Sequence, residues 1–153
     1  NINSVLAEIV EIQIRSNNLL AKKNIKLEIK KTIPYEEYFI KTDKNRFIQI
    51  LGNLINNAIK FTDKGTVEVG CYQKNYNGKA YVEFYVKDPG CGIPKDKFDV
   101  IFNRFSQAGK DDFKQGNGLG LSICKGLITL LNGKIWVESE EGKGTIFYFI
   151  LPY

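Results

Sequence analysis

The stretch Asp43-Lys-Asn-Arg-Phe-Ile-Gln-Ile-Leu-Gly-Asn53-Leu-Ile-Asn-Asn57-Ala-Ile-Lys60-Phe-Thr62 reads as one long amphipathic helix. Phe47, Ile50, Leu51, Leu54, Ala58 and Phe61 recur at spacings of three and four, which lines them along one face. Thr42 or Asp43 can cap the start, because a short oxygen-bearing side chain there accepts from the first free backbone N–H groups. The end is expected near Thr62, before Gly65. Beside the stripe, Asn53, Asn57 and Lys60 share a second face at i, i+4 and i+7. Asparagine is a poor helix former. Three of them within five positions, at 53, 56 and 57, weigh against a merely solvated face.

Upstream, Val5, Ile9, Ile12, Leu19 and Leu20 give a rougher helical stripe ending near residues 22–24, and the alternation Ile25-Lys-Leu27-Glu-Ile29 predicts a strand. Pro34 breaks the pattern before a short extended piece at residues 38–41. Downstream, residues 66–73 and 80–87 read as an antiparallel hairpin around Asn75-Tyr-Asn77-Gly78. Residues 94–115 are polar, charged and glycine-containing, with a short helical patch at 98–105, and read as a mobile surface loop. Leu119, Ile123, Leu127 and Leu130 restart a helix that Asn132-Gly133 stops. Residues 134–138 and 145–151 then form a second hairpin. Hairpin-connected strands with interspersed helices predict an α+β fold, a two-layer sandwich with helices on one sheet face.

The 153 residues suit one domain, and 43% apolar content is that of an ordinary globule. A net charge of +5 comes from lysines spread along the chain, with no dense basic arm, so nucleic acid is not an expected partner. The longest apolar runs are too short to cross a bilayer, and no signal peptide is legible, so the segment is expected to be soluble. Cys71, Cys91 and Cys124 are odd in number and lack a C-x-x-C pair, which points away from disulfides and zinc and toward a reducing cytosol. Histidine is absent. That removes the commonest general base and metal ligand.

Three short stretches carry complementary chemistry. On the long helix, an asparagine carbonyl is a hard neutral oxygen of the kind Mg²⁺ accepts beside phosphates, and Lys60 offers a point charge to those phosphates. Asp88-Pro-Gly90-Cys-Gly92 closes a strand with a carboxylate beside glycines that let the backbone approach a ligand. A buried carboxylate there can accept from the exocyclic amine of adenine, which guanine's carbonyl at that ring position cannot replace. Gly116-Asn-Gly118-Leu-Gly120-Leu-Ser122 opens a helix whose backbone N–H groups and dipole can receive phosphate. Taken singly, these are also solvated helix residues, an Asp-Pro-Gly turn and a flexible hinge. The glycine run is not the dinucleotide fingerprint, and Gly142-Lys-Gly-Thr145 is not a P-loop.

In combination and in this order, Asn53 to Thr62 (an N box), Asp88-Pro-Gly-Cys-Gly-Ile93 (a first glycine box), Ile101-Phe-Asn-Arg-Phe105 (an F box) and Gly116-Asn-Gly-Leu-Gly-Leu121 (a second glycine box) resemble the catalytic ATP-binding domain of bacterial sensor histidine kinases. Arg46 to Leu51 and Gly142-Lys-Gly-Thr-Ile-Phe147 also look like that family, so the likeness spans nearly the whole chain. The resemblance implies a Bergerat-type ATP-binding fold with a mixed, mostly antiparallel sheet and one domain over 1–153, its flexible lid at about residues 93–115. By matching positions, it implies that Asn57 coordinates Mg²⁺ and that Asn53 and Lys60 face the phosphates. Asp88 would read adenine, with Thr145 assisting through water. Gly90, Gly92, Ile93, Phe105, Gly116, Gly118, Leu119, Gly120 and Leu121 would line the ATP site. For Phe102, Arg104 and Phe105, lid packing is as good a reading as ligand contact. Three positions depart from the family: Pro89 and Asn117 stand where small polar residues are usual, and Gln107 where many relatives carry a basic residue.

Hydrolytic relatives of this fold carry a water-activating glutamate where this chain has Asn53, and an amide cannot take a proton. Transfer of the γ-phosphoryl to a protein acceptor is therefore expected over hydrolysis. The acceptor must be a histidine on a dimerisation domain outside this chain, so the chain reads as a catalytic fragment of a homodimeric parent that serves a response-regulator receiver domain. Alternatives are a self-contained ATPase or serine kinase of the superfamily, or a degenerate nucleotide-sensing module. The expected setting is the bacterial cytoplasm, with no membrane contact by this domain.

Overall fold

Asp43 starts the long helix α3 (Lys44–Phe61), its carboxylate accepting from the Asn45 and Arg46 N–H groups at 2.9 and 3.1 Å. The coordinates are a computed structural model that describes residues 1–31, 39–103 and 119–153. Phe47, Ile50, Leu51, Leu54 and Ala58 are buried as their spacing predicts. Ile55 and Ile59 are buried too, because α3 packs on α1 (Ile2–Ser16) and α4 (Gly120–Leu130) as well as on the sheet.

The sheet has five strands, β1 (Ile25–Lys31), β2 (Gly65–Tyr76), β3 (Lys79–Asp88), β4 (Lys134–Glu140) and β5 (Gly144–Pro152), in the order β1-β2-β3-β5-β4. β1 and β2 are parallel and joined through α3, since parallel neighbours need a crossover; every other pairing is antiparallel. The fold is thus α+β with a mixed, mostly antiparallel sheet, as expected. The β2–β3 turn is tighter than its sequence implies: Asn77 and Gly78 take φ of 51° and 76°, the two-residue turn whose twist matches the strands.

Phe84 and Phe149 stack at 4.8 Å between neighbouring strands, and Phe47 of α3 meets Phe84 edge-on at 4.9 Å. On the other sheet face Tyr85, Tyr148 and Trp136 lie directly opposite one another across β3, β5 and β4, with Trp136 stacked on Tyr148 at 5.4 Å. That face covers itself with aromatics. The helices therefore need to cover only one side.

Three local expectations are corrected. The first helix is not continuous: Asn17 is extended and caps a separate helix α2 (Asn18–Lys22), accepting from the Leu19 N–H at 3.1 Å while its amide donates to Asn56 at 2.9 Å. Its buried face is Ile2, Leu6, Ile9 and Val10, and Ile12 stays 47% exposed. On α4, Cys124 and Ile128 face the core while Ile123 and Leu130 are exposed. That helix is apolar around most of its circumference, so periodicity could not choose the side that α3 would cover. Of the helical patch at 98–105, residues 98–103 form turns after a 3₁₀ turn, Lys95–Lys97, with Ile101 buried and Phe102 edge-on to Phe147 at 6.2 Å; residues 104 and 105 lie outside the described residues.

Lys23, just after α2, donates from Nζ to the carbonyls of Ile59, Lys60 and Thr62 at 3.3, 2.8 and 2.7 Å. A cation at a helix C-terminus satisfies orphan carbonyls and opposes the dipole. Lys23→Met, which keeps the apolar stem, is expected to lower the unfolding free energy by about 1–2 kcal/mol in urea titration.

Candidate nucleotide-binding site

The ends of three strands and of α3 converge on Asp88. Asp88 on β3 is directly opposite Thr145 on β5, and Thr145 is directly opposite Ser139 on β4, so the three side chains form one cross-strand row. Asp88 and Thr145 are each only 5% exposed. Burial pushes the Asp88 carboxyl up to about 6, because the charged form loses water; the Gly90 N–H, donating to Oδ1 at 2.8 Å, opposes this only in part. Among the described residues, only the Gly90 N–H bonds this carboxylate.

The loop after Asp88 is fixed by backbone contact. A Cβ on Gly90 would press on the Phe61 carbonyl at the end of α3. One on Gly92 would overlap the Glu140 carbonyl, and one on Gly144 the Asp88 carbonyl. The Gly142 N–H donates to the Cys91 carbonyl at 2.7 Å. The β4–β5 turn thus forms the floor under the first glycine box. Ile93 follows, its side chain packed on the core and its N–H donating to Ser139 Oγ at 2.8 Å.

On α3, Asn53, Asn57 and Lys60 are half-buried. Asn56 faces away, held by Asn17, which separates its role from that of its two neighbours. The buried Cys124 thiol of α4 donates from Sγ to the Ile50 carbonyl at 3.6 Å; burial pushes this thiol up to about 12, the nearby Asn53 side chain opposing only in part, so it stays protonated. The Lys60 ammonium rests over the Phe61 ring, 5.0 Å from its centroid. Leu119 and Gly120 open α4, where no described side chain caps the helix and no described residue lies within 4 Å of a Cβ built on the exposed Gly120; Leu121 packs on the core. Phe105, Gly116 and Gly118 lie outside the described residues, as do Arg104 and Gln107.

Ser139 was absent from the expected site. Its signal was strand parity: Ile135, Val137 and Ser139 share the core-facing side of β4, and a hydroxyl at an inward position needs partners. Cys124 was passed over because a buried cysteine is ordinarily inert packing.

The profile of the histidine kinase-, DNA gyrase B-, and HSP90-like ATPase family matches residues 42–153. The chain belongs to that family. Among curated relatives, it is 36% identical over 138 residues to the sensor protein EvgS of Escherichia coli K12, covering 88% of this chain and 11% of that one. It is 37% identical to the adaptive-response sensory kinase SasA of Synechococcus elongatus over 111 residues, covering 72% of this chain and 28% of that one. The chain therefore spans a minor part of these relatives. Among solved structures, it matches full-length ShkA in complex with AMPPNP with a TM-score of 0.82 at 31% identity, over 99% of this chain and 30% of that one. The catalytic domain of histidine kinase ThkA matches with a TM-score of 0.75 at 30% identity, over 99% of this chain and 94% of that one. This member of the ATPase family is thus an ATP-binding catalytic domain of the sensor histidine kinase type. No described helix is long and apolar enough to cross a membrane.

Proposed function

We propose that this domain binds Mg-ATP between α3, the Asp88 loop and the start of α4, and donates the γ-phosphoryl to a histidine on a separate dimerisation domain. The observation that carries the reading is Asn53 itself, half-buried on α3 in line with Asn57 and Lys60: its amide cannot take a proton from water. Phosphoryl transfer needs placement and charge more than a base. The Asp88 carboxylate reads the adenine amine, supported by Thr145 beside it, and the Gly90-Cys-Gly92-Ile93 backbone passes along the base. Lys60, Asn53 and the open α4 terminus at Leu119, Gly120 and Leu121 serve the phosphates. Phe105 would complete the site from a lid at about residues 93–115, and Gly116 and Gly118 from the glycine run that follows it.

The donor set fits a hard divalent ion. No cluster of three His, Cys, Asp or Glu stands ready among the described residues, and neutral amide oxygens are what Mg²⁺ accepts when it keeps waters and takes phosphate oxygens. Asn57 would hold it. The bound ion would supply charge neutralisation at the phosphates. The parent is a cytoplasmically active homodimer whose phosphohistidine serves a response-regulator receiver domain.

Calorimetric titration with Mg-ATP is expected to give saturable heat. A separately produced histidine-bearing dimerisation domain should then acquire acid-labile phosphate from the ATP-loaded chain. No heat at millimolar nucleotide would overturn the site. Steady phosphate release with no transfer would replace the kinase with an ATPase.

A further inference from the structure

We infer that Ser139 is a specificity-positioning residue: it fixes the hydroxyl of Thr145 as a hydrogen-bond acceptor, so that Asp88 and Thr145 present two acceptors to the base and select an exocyclic amine. The inference rests on the adenine reading of the site and deepens it. Ser139 Oγ lies 2.8 Å from the Ile93 nitrogen, 2.8 Å from the Gly144 carbonyl oxygen and 2.9 Å from Thr145 Oγ1. A hydroxyl has one proton and two lone pairs. Ile93 N–H can only donate, which occupies one lone pair. The Gly144 carbonyl can only accept, which consumes the proton. Thr145 must then donate its own proton into the second lone pair, since the opposite arrangement would set two bare oxygens against each other at Gly144.

The consequence is a polarity that Thr145 does not possess alone. A free threonine hydroxyl rotates and can offer either a proton or a lone pair. Here its proton is committed to Ser139, and only lone pairs remain for the cleft. Asp88, its cross-strand neighbour, keeps Oδ2 beyond the bond that Gly90 makes to Oδ1. In direct contact with the base, the row asks for two donated protons. The 6-amino group of adenine has two. The 6-carbonyl of hypoxanthine has none, and the single proton on the adjacent N1 can serve only one of the two acceptors.

The test compares ATP with inosine triphosphate, which carries a 6-carbonyl in place of the amine and a proton on N1, by calorimetry on the full chain. Wild type should prefer ATP. Ser139→Ala should reduce the ATP-to-inosine ratio about tenfold, because Thr145 regains its rotation and can donate to the carbonyl. Thr145→Val should reduce the ratio comparably, and the double variant Ser139→Ala with Thr145→Val should go no further, since one residue acts through the other. A merely structural serine would weaken both nucleotides alike. An unchanged ratio in Ser139→Ala, or losses that add in the double variant, would overturn the inference while leaving ATP binding intact. If Ser139→Ala does not fold, Ser139→Cys, a weak donor and acceptor of similar shape, carries the same comparison. Absence of ATP binding by the wild type would instead remove the adenine reading itself, and this inference with it.

Discussion

Replacing Asp88 by asparagine is expected to weaken ATP binding about 100-fold and to move the preference toward inosine triphosphate. The reason lies in the loop. The Gly90 N–H already donates to Oδ1 at 2.8 Å, so an asparagine keeps its carbonyl there and is forced to turn its NH₂ toward the cleft. A donor then meets the adenine amine, whereas a 6-carbonyl would be welcome. Competitive displacement of a fluorescent ATP analogue by each nucleotide measures the shift. An ATP preference equal to wild type would show that Asp88 does not face the base.

The same carboxylate makes binding depend on pH. Its value is raised to about 6 by burial, so the native state holds a proton that the unfolded chain has released between about pH 4 and 6. The nucleotide-free domain should therefore lose stability as pH rises through that window, by on the order of 3 kcal/mol from this group, and change little above it. The adenine amine favours the ionised form. ATP affinity should accordingly be flat above about pH 7 and fall toward tenfold per unit as pH drops below 6, with proton release on binding. Asp88→Asn should abolish this slope. Calorimetry in buffers of different ionisation enthalpy reads the proton count directly.

Gly92→Ala is expected to cost about 2–5 kcal/mol of stability and to abolish saturable ATP binding. Two effects add. Gly92 has φ of 74°, in the left-handed region, and its new Cβ would lie inside the Glu140 carbonyl of the β4–β5 turn. Neither partner is a flexible side chain that can swing away, so the first glycine box must lift off its floor. A melting curve within a degree or two of wild type would mean that the floor yields. By contrast, no described residue lies near a Cβ built on Gly120, so the same substitution there should leave stability almost unchanged and report on phosphate approach.

The long central helix was legible because its cap, stripe and stop all agree, and Asp43, Phe47 and Thr62 stand where their chemistry predicts. The two hairpins were equally legible. The faces of α1 and α4 were not. Both carry apolar residues on more than one side, so burial at Leu6 and Cys124 rather than Ile12 and Ile123 was decided by which neighbour arrived. The break at Asn17 was hidden for a related reason: its cap bond is local, but its amide is held by Asn56, 39 residues away.

The sequence by itself determined the kind of site. Asparagines on a helix face, a carboxylate before a glycine turn and a glycine run before a helix are local chemistry, and local chemistry is written in neighbouring residues. Only the tertiary structure decided the row Asp88, Thr145 and Ser139, because those residues come from three strands and meet through register. It also decided that Lys23 closes α3 and that Cys124 is buried against the Ile50 carbonyl of that helix. Hydrogen-bond polarity belongs to a set of atoms brought within 3 Å of one another, and no spacing along the chain encodes which hydroxyl must give its proton away.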